Sequence, residues 1–343
     1  MNATVKTGKK HFPVMLNELL SIISPLYSGT FIDCTFGQGE YSSAILKHPG
    51  NKVIAIDRDK KTSFNAANLK EKFKDKFYFK NIKFREINDL NINSKDVKAI
   101  IFDLGYSMNQ IQDPEKGLSF NSRGKLNMQM GLNNFSAHQV INYLEQKDLE
   151  KIFKHFGEEK YSKVISRKIC EIRKRNKINT EDLVNLINKT KLNKNLKIHK
   201  STKIFQALRI FVNKEISELI YGLINAFYTL PVGGIIIVVS FHSIEDKIVK
   251  FFFKNYSQSK NLSRYLPEQR KEKKLFELKN NKPIFPSEKE IKNNPPSRSA
   301  KLRYAIKIND SENFDAFIQQ FKYLLDIENL SKKIWKNIFM DYC

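Results

Sequence analysis

The sequence predicts an α/β fold: a doubly wound, mostly parallel sheet into which an all-helical segment is inserted. From residue 30 to residue 105, short apolar strands alternate with amphipathic helices, the pattern of parallel strands joined by right-handed crossovers. Residues 136–194 then show only helical periodicity, and an apolar strand returns at about residue 233. These two observations predict one sheet domain interrupted by helices.

The predicted elements follow from apolar spacing. Strands are expected at 31–32, 53–57, 77–84, 97–105 and 233–243, with a last strand within 295–308. Helices are expected at 11–23, 41–47, 60–76, 136–144, 148–157, 158–174, 180–190, 201–222 and 244–256. Irregular loops are expected at 106–134 and 257–296. The tail 310–343 has apolar residues at helical spacing, which predicts a helix with one buried face.

This pattern predicts three units. The first is a discontinuous sheet domain of residues 1–107 and 201–309. The second is a loop and helical substrate-recognition domain of residues 108–200, and the third is the helical tail of residues 310–343.

The stretch from Thr30 to Ser43 is the point around which the chain is organised. A short buried strand leads to Asp33, then to a turn with Gly37 and Gly39, and then to a helix. Glycines there allow a sharp turn and a close approach of the backbone to a ligand. A strand, a glycine turn and a helix form the cofactor-binding corner of a doubly wound sheet.

The same loop argues against a dinucleotide. The dinucleotide motif needs a third glycine where this chain has Ser42, and Glu40 would repel a pyrophosphate. A positively charged ligand without phosphate, such as S-adenosylmethionine, suits these acids better. A plain tight turn between a strand and a helix would have the same sequence, so the loop alone does not decide.

Further candidate residues fall at the ends of the predicted strands. Asp57 ends strand two, roughly 20 residues after the glycines, where an acid accepts hydrogen bonds from a ribose. Phe84 ends predicted strand three and could stack on an adenine, although a lone aromatic residue is usually part of the ordinary core. Asp103 ends strand four. Ligands bind at this edge of such sheets, so these residues are expected to converge with Asp33.

Net charge and composition limit the kinds of partner and location that the sequence predicts. The net charge is +24, from 60 Lys and Arg against 36 Asp and Glu, which favours a nucleic-acid partner. Lysine enrichment from an AT-rich genome would produce a similar excess. The chain has no apolar run long enough for a membrane span and no secretory signal, so a cytoplasmic protein is expected. Its three cysteines have no metal spacing, and neither a disulfide nor a structural metal is expected.

Ten segments between residues 11 and 307 stand out together, and they are HFPVMLNELL, DCTFGQGEYS, AIDRD, FDLGYSMNQIQD, KGLSF, KLNMQM, FGEEKYSKVISRKI, FQALRIFVNKE, GGIIIVVSFHSIEDKIVK and NPPSRSAKLR. In this order they resemble one family, the bacterial small-subunit ribosomal RNA cytidine-N4 methyltransferases of the RsmH/MraW type. The family implies a Rossmann-like methyltransferase sheet that carries an inserted helical substrate domain.

The resemblance also implies site residues and a substrate. S-adenosylmethionine contacts are implied for Gly39, Glu40, Tyr41, Asp57, Phe84, Asp103 and Gln110. The implied substrate is a cytidine in the decoding region of 16S rRNA within the small ribosomal subunit.

A cytosine amine is a poor nucleophile, so it needs groups that orient it and accept its proton. We assign the chemistry to Asp103, with Ser240 and His242 shaping the base pocket, although His242 is equally consistent with a hydrogen-bonded residue at the strand end. Arg298, Lys301 and Arg303 are expected to hold the RNA backbone.

Three segments depart from the family pattern. The loop that usually reads GxGGH is GQGEY here, Ser-Ser-Pro is replaced by Ser107, Met108 and Asn109, and LDMRMD becomes LNMQMG at 126–131. These changes keep two alternatives open. One is an RNA-binding ribosome assembly factor with weakened catalysis, and the other is a methyltransferase acting on another nucleic acid or on protein.

Overall fold

The computed structural model describes residues 13–90, 92–106, 110–111, 113–120, 125–191, 199–258, 273–311 and 313–341. Within them the strands are β1 (Thr30–Asp33), β2 (Lys52–Ile56), β3 (Phe77–Lys80), β4 (Val97–Asp103), β5 (Ile235–Ser240), β6 (Phe276–Glu277) and β7 (Lys301–Lys307). They form one sheet in the order β3-β2-β1-β4-β5-β7-β6. β1 to β5 are parallel, and β7 runs antiparallel to both of its neighbours. The predicted α/β class is confirmed.

The α-helices flank this sheet and fill the interval between β4 and β5. In chain order they are α1 (Leu16–Ile23), α2 (Glu40–Ile45), α3 (Ser63–Phe73), α4 (Ala137–Tyr143), α5 (Gln146–His155), α6 (Ser162–Ile172), α7 (Thr180–Thr190), α8 (Thr202–Asn213), α9 (Glu215–Thr229), α10 (Ser243–Ser257), α11 (Glu288–Asn293), α12 (Asp315–Gln320), α13 (Lys322–Glu328) and α14 (Lys332–Asp341). None of these described helices combines the length and apolar character that a membrane span requires.

Strand β5 shows why the sheet is buried on both faces. All six of its residues are buried. Ile235, Ile237 and Val239 belong to the apolar cluster on one face, and Ile236 and Val238 belong to the cluster on the other. Such continuous apolar strands are typical of a parallel sheet with helices on both sides.

The larger of the two clusters continues from the sheet into the helices between β4 and β5 and into the tail. Phe314 and Phe317 of the tail pack against Phe227 and Phe252, with ring centroids 4.9 and 4.8 Å apart. The tail also reaches the inserted helices, because Lys333 forms an ion pair of 2.9 Å with Asp148. One core therefore joins the regions that we treat as three units, and the division at 1–107 with 201–309, 108–200 and 310–343 stays a proposal.

Four predicted elements need correction. Strand three ends at Lys80 rather than at residue 84. The single helix predicted over 201–222 is two helices, because Lys214 adopts a left-handed conformation with φ of 52°. The loop predicted over 257–296 contains β6 and α11 among its described residues. The tail contains α12, α13 and α14 instead of one helix, although its apolar side chains are buried as the spacing predicts.

Candidate active site

A cavity of about 610 Å³ opens at the carboxyl ends of β1, β4 and β5. This is the edge at which parallel sheets bind ligands, and the volume is ordinary for a small-molecule site. The glycine loop and Asp103 form one wall of the cavity, and Phe205 and Arg209 of α8 contribute another wall. We call these the sheet wall and the helix wall.

The glycine loop has the conformation that its sequence predicts. Gly37 and Gly39 have φ of 54° and 82°, in the left-handed region that favours glycine. A Cβ at Gly39 would lie 2.7 Å from the Phe36 ring, so alanine does not fit there without movement. Glu40 is the first residue of α2, and both Glu40 and Tyr41 line the cavity.

The first described residues, Pro13 and Val14, also line the cavity. The Tyr41 hydroxyl donates a hydrogen bond to the Val14 carbonyl. The Met15 N–H donates to Glu290 Oε1 at 2.8 Å. Two distant parts of the chain therefore fix the segment before α1 at the cavity mouth.

Asp33 lies beneath the loop and is 1% exposed. Its Oδ2 accepts a hydrogen bond from the Ser42 hydroxyl at 2.7 Å, and its Oδ1 accepts one from Thr35 N–H at 3.2 Å. Burial raises the pKa of Asp33 to about 6, although these two hydrogen bonds oppose the rise. The Thr35 hydroxyl in turn accepts the Asp103 N–H at 2.7 Å, which links the ends of β1 and β4.

Asp57 is held directly against the glycine loop. Its Oδ2 accepts Gly37 N–H and its Oδ1 accepts Asp59 N–H, each at 2.8 Å. Burial raises the pKa of Asp57 to about 6 against the effect of these hydrogen bonds. Asp59 in turn accepts from Gln110 Nε2 at 3.1 Å and from Lys116 Nζ at 2.7 Å. The structure thus brings Asp57 and Gln110 into one polar network beside the loop.

Asp103, at the end of β4, belongs to the sheet wall. It lines the cavity, and its Oδ1 accepts the Gly105 N–H at 3.1 Å. Tyr106 follows on the same wall, with 43% of its surface exposed. The Arg209 guanidinium lies 4.7 Å from the Tyr106 ring centroid, within cation–π range. This contact joins the sheet wall to the helix wall.

Arg209 is held by Glu215 across the break between α8 and α9. Two parallel hydrogen bonds of 2.9 Å join Arg209 Nε and Nη2 to the carboxylate oxygens. Burial alone would lower the pKa of Arg209, but the charge and hydrogen bond of Glu215, together with the charges of Tyr106 and Glu245, outweigh it and raise the pKa. A bidentate pair of this kind fixes the guanidinium plane as well as its position.

His242 also lines the cavity, at the N-cap of α10. Its Nδ1 accepts the Glu245 N–H at 3.4 Å, and its Nε2 lies 3.0 Å from Glu245 Oε1. Burial would raise the pKa of Glu245, but His242, Arg209 and the Phe241 N–H together outweigh it and lower the pKa. The imidazole therefore accepts a hydrogen bond from the Glu245 backbone and lies against the buried Glu245 carboxylate.

Glu215, His242 and Glu245 have the spacing of a metal site among the described residues. Both carboxylates already have protein partners, because Glu215 binds Arg209 and Glu245 accepts the Phe241 N–H at 2.8 Å. A metal ion would have to displace a bidentate guanidinium, so we assign no metal to this cluster.

Five predicted site residues lie outside the cavity lining, and they are Gly39, Asp57, Gln110, Phe84 and Ser240. The first three belong to the glycine loop or to the polar network beside it. Phe84 begins a 3₁₀-helix, Phe84–Asp89, and packs edge-on against Phe102 with centroids 5.4 Å apart. Ser240 is 2% exposed, and its hydroxyl donates to the Lys301 carbonyl at 3.3 Å. Of the three basic residues expected to hold RNA, Arg298 lines the cavity, whereas Lys301 and Arg303 form ion pairs with Asp246.

The structure describes only some of the segments that depart from the family pattern. Ser107, Met108 and Asn109 lie outside the described residues. The segment 126–131 packs against the helix wall, where the Asn213 side chain donates to the Met128 carbonyl and accepts the Met130 N–H. A Cβ at Gly131 would lie 2.2 Å from the Arg58 carbonyl oxygen, so the glycine matches its surroundings.

Arg209, Glu215 and Glu245 were not predicted from the sequence. Arg209 and Glu215 lie in FQALRIFVNKE, and Glu245 lies in SFHSIED, two of the segments that carry the family resemblance. The available signal was a set of charged residues inside otherwise apolar helices. Charged side chains are rarely buried unless they are paired.

The fold and this carboxylate-rich, glycine-turned cavity define an α/β enzyme with a nucleoside-type cofactor site. Residues 8–308 match the MraW methylase family, and the chain belongs to that family.

Relatives named "Ribosomal RNA small subunit methyltransferase H" cover most of the chain. Those from Rickettsia bellii (strain OSU 85-389) and Ehrlichia chaffeensis are each 40% identical, over 87% of this chain and 99% and 100% of their own lengths. The one from Wigglesworthia glossinidia brevipalpis is 41% identical over 87% of this chain and 99% of its length. A solved rRNA methylase from Streptococcus thermophilus aligns with a TM-score of 0.39 and 9% identity, over 88% of this chain and 100% of that one.

The chain is therefore a methyltransferase, and its methyl donor is S-adenosylmethionine. The residues present fit this donor. Glu40 and Asp103 on the sheet wall, with Asp57 behind the loop, create the negative surroundings that a sulfonium requires. A side chain at position 39 would clash with the Phe36 ring, so the turn requires glycine there.

Proposed function

We propose that this protein transfers a methyl group to N4 of a cytidine in the decoding region of 16S rRNA, within the small ribosomal subunit in the cytoplasm. The observation that carries the proposal is the pairing of two unlike walls in one cavity. Carboxylates and glycines lie on the sheet wall, and a buried arginine with aromatic residues lies on the helix wall. The names of the relatives and the net charge of +24 agree with an rRNA substrate.

The sheet wall is our candidate for the cofactor site. We assign to it Gly39, Glu40 and Tyr41 of the loop, together with Asp57, whose carboxylate would accept ribose hydroxyl hydrogen bonds. Gln110 joins this set through Asp59. Phe84 remains a predicted adenine contact, although its ring packs on Phe102, and its role needs a direct test.

The helix wall is our candidate for the nucleotide site. A target base has to leave its stack before an enzyme can reach it, and aromatic side chains and arginine planes commonly hold such bases. Tyr106, from the adjoining sheet wall, offers an exposed ring, and Arg209 of the helix wall lies against it with its plane fixed by Glu215. Arg298, exposed at the cavity rim, would hold a phosphate.

Bound S-adenosylmethionine supplies an electrophilic methyl group on a sulfonium. The residues of the chain have to make the cytosine amine nucleophilic. Its nitrogen lone pair is delocalised into the ring, so an acceptor has to hold the N–H groups and take a proton as positive charge develops. We assign this to Asp103, which is anchored through its N–H to Thr35 and faces the cavity. His242 would orient the base from the end of β5.

The cavity lining agrees better with methylation of nitrogen than of ring carbon. Carbon-5 methylation needs a cysteine thiolate that adds to the base. No cysteine lies among the described residues that line the cavity. Cys34 is 2% exposed, and burial raises the pKa of its thiol.

The test is methyl transfer from labelled S-adenosylmethionine to small ribosomal subunits from a strain that lacks this modification, with fully modified subunits as the matched control. Nuclease digestion and mass analysis are expected to find 4-methylcytidine at one position of 16S rRNA. Label in ribosomal protein, in added DNA or at another atom would overturn the proposal. Absence of both transfer and calorimetric cofactor binding would favour the assembly-factor alternative.

A further inference from the structure

Helix α9 begins without a cap from its own sequence. Its N-cap residue is Lys214, which also ends α8 and has φ of 52° and ψ of 42°. The Lys214 side chain makes no capping hydrogen bond. The first backbone N–H groups of a helix lack intrahelical partners, and a Ser, Thr, Asp or Asn at the N-cap usually satisfies one of them. The start of α9 therefore needs an acceptor from elsewhere.

The tail supplies that acceptor. Glu328, at the end of α13, accepts the Ile216 N–H on Oε1 at 2.8 Å and the Ser217 N–H on Oε2 at 3.0 Å. The residue is 3% exposed. Phe321 and Leu324, both buried, anchor the same part of the tail in the core. A carboxylate at a helix N-terminus is also favoured by the helix dipole.

This cap lies next to the helix wall of the cavity. Glu215, which immediately precedes the two capped amides, holds Arg209 through the bidentate pair. In the sequence, the left-handed residue Lys214 lies between Arg209 and Glu215. The direction of the first turn of α9 therefore sets the position of Glu215, and Glu215 sets the plane of Arg209.

We propose that Glu328 is a positioning residue for methyl transfer: by capping α9 from the tail, it fixes the Glu215–Arg209 pair in the wall that receives the nucleotide. This inference rests on the function proposed above. The family match ends at residue 308, and the named relatives cover only 87% of this chain, so the cap comes from outside the matched region. The tail thus contributes to the site without lining it.

The test compares Glu328→Ala, Glu328→Gln and the matched control Asp326→Asn, which alters an exposed carboxylate in the same helix. At a temperature where all variants are folded, Glu328→Ala is expected to lower kcat/KM for ribosomal subunits about tenfold, because small misplacements of a binding group are costly. Glu328→Gln keeps one acceptor and should recover part of the loss. Asp326→Asn should match the wild type.

Two further readouts separate positioning from stability. Calorimetric affinity for S-adenosylmethionine should stay within about twofold of wild type in Glu328→Ala, because the proposed cofactor residues lie on the sheet wall and, in the described part of the chain, share no contact with Glu328. Amide exchange at Ile216 and Ser217 should accelerate. If Glu328→Ala does not fold, Glu328→Gln decides the question by the same measures.

An active wild type with an equally active folded Glu328 variant would overturn the positioning role alone. Equal losses of cofactor affinity and turnover would overturn it as well, because they would indicate general loosening. A wild type that methylates no subunit would instead overturn the proposed function, which is a distinguishable result.

Discussion

The two walls of the cavity are built in different ways. The sheet wall comes from strand ends and the turn after β1. Hydrogen bonds between adjacent strand ends, such as the one that the Gly37 N–H donates to the Asp57 carboxylate, hold it together. The helix wall depends on partners that are brought together by packing, such as Arg209 with Tyr106 and Glu328 with the start of α9. The difference teaches that the proposed cofactor half of the site follows from recognisable strand ends and one glycine turn, whereas the proposed nucleotide half depends on contacts between elements that are distant in the chain.

The largest expected effect tests the sheet wall. Asp103→Ala removes the proposed proton acceptor, and positioned acid–base groups typically contribute roughly 10²- to 10⁴-fold to rate. We expect kcat for subunit methylation to fall by about that factor, with an unchanged circular dichroism spectrum. Asp103→Asn should also be inactive, because an amide cannot take the proton. Near-normal turnover in either variant would remove Asp103 from the mechanism.

The second largest effect is expected when Arg209 is substituted, which tests the helix wall. In Arg209→Ala, Glu215 loses its bidentate partner, and breaking a buried ion pair costs about 3–5 kcal/mol of unfolding free energy. We expect kcat/KM for subunits to fall about 100-fold through lost positioning. Arg209→Lys keeps the positive charge but cannot form the bidentate pair, so its kcat/KM should lie between those of the wild type and Arg209→Ala. Urea unfolding and steady-state assays measure the two quantities, and cofactor affinity that falls as much as turnover would contradict the separation of the walls.

The third prediction concerns pH and the sheet wall alone. The folded pKa values of Asp33 and Asp57 are both raised to about 6, above the value of an exposed Asp. Cofactor binding should favour the ionised forms, so affinity should fall by about tenfold as the pH is lowered from about 7 to about 5. Calorimetry across this range measures it, and Asp57→Asn should flatten the dependence. An affinity independent of pH would contradict the assignment of Asp57.

Stability without the cofactor should respond in the opposite direction. Because burial raises both pKa values, the native state holds these protons more tightly than the unfolded chain does. Their contribution to the unfolding free energy is therefore fully present below about pH 4 and is lost as the pH rises through about 6. Glu328, whose pKa burial raises to about 7, acts in the same direction. Urea unfolding of the cofactor-free protein at several pH values measures this trend.

The smallest expected effect concerns Ser240. Its hydroxyl is buried and donates to the Lys301 carbonyl, away from the cavity. Ser240→Ala should cost about 1 kcal/mol of unfolding free energy or less and leave kcat within about threefold of wild type. A large loss of turnover would show that Ser240 reaches the substrate after all and would extend the active part of the sheet wall beyond Asp103.

The same contrast explains what the sequence revealed. Apolar runs that end in Asp33 and Asp103 mark strand ends, and parallel strands bring such ends to one edge, so the fold class and most of the sheet wall were predictable. Phe84 was placed at a strand end only because strand three was taken four residues too long. Periodicity judges a strand's length poorly when aromatic and basic residues continue beyond its end.

The helix wall was less predictable for a physical reason. Apolar spacing continues through Lys214 as though one helix ran on, and lysine has good helix propensity, so nothing local announces the left-handed break. Only packing against the rest of the chain sets α9 at its angle. The pairing of Arg209 with Glu215 follows from that break, and the cap by Glu328 comes from 112 residues further along the chain.

The hydrogen bond from the Tyr41 hydroxyl to the Val14 carbonyl has a practical consequence. Pro13 and Val14 line the cavity, so residues fused directly ahead of Pro13 would join the chain beside the proposed site. Placing a purification handle at another position would keep foreign residues away from that cavity.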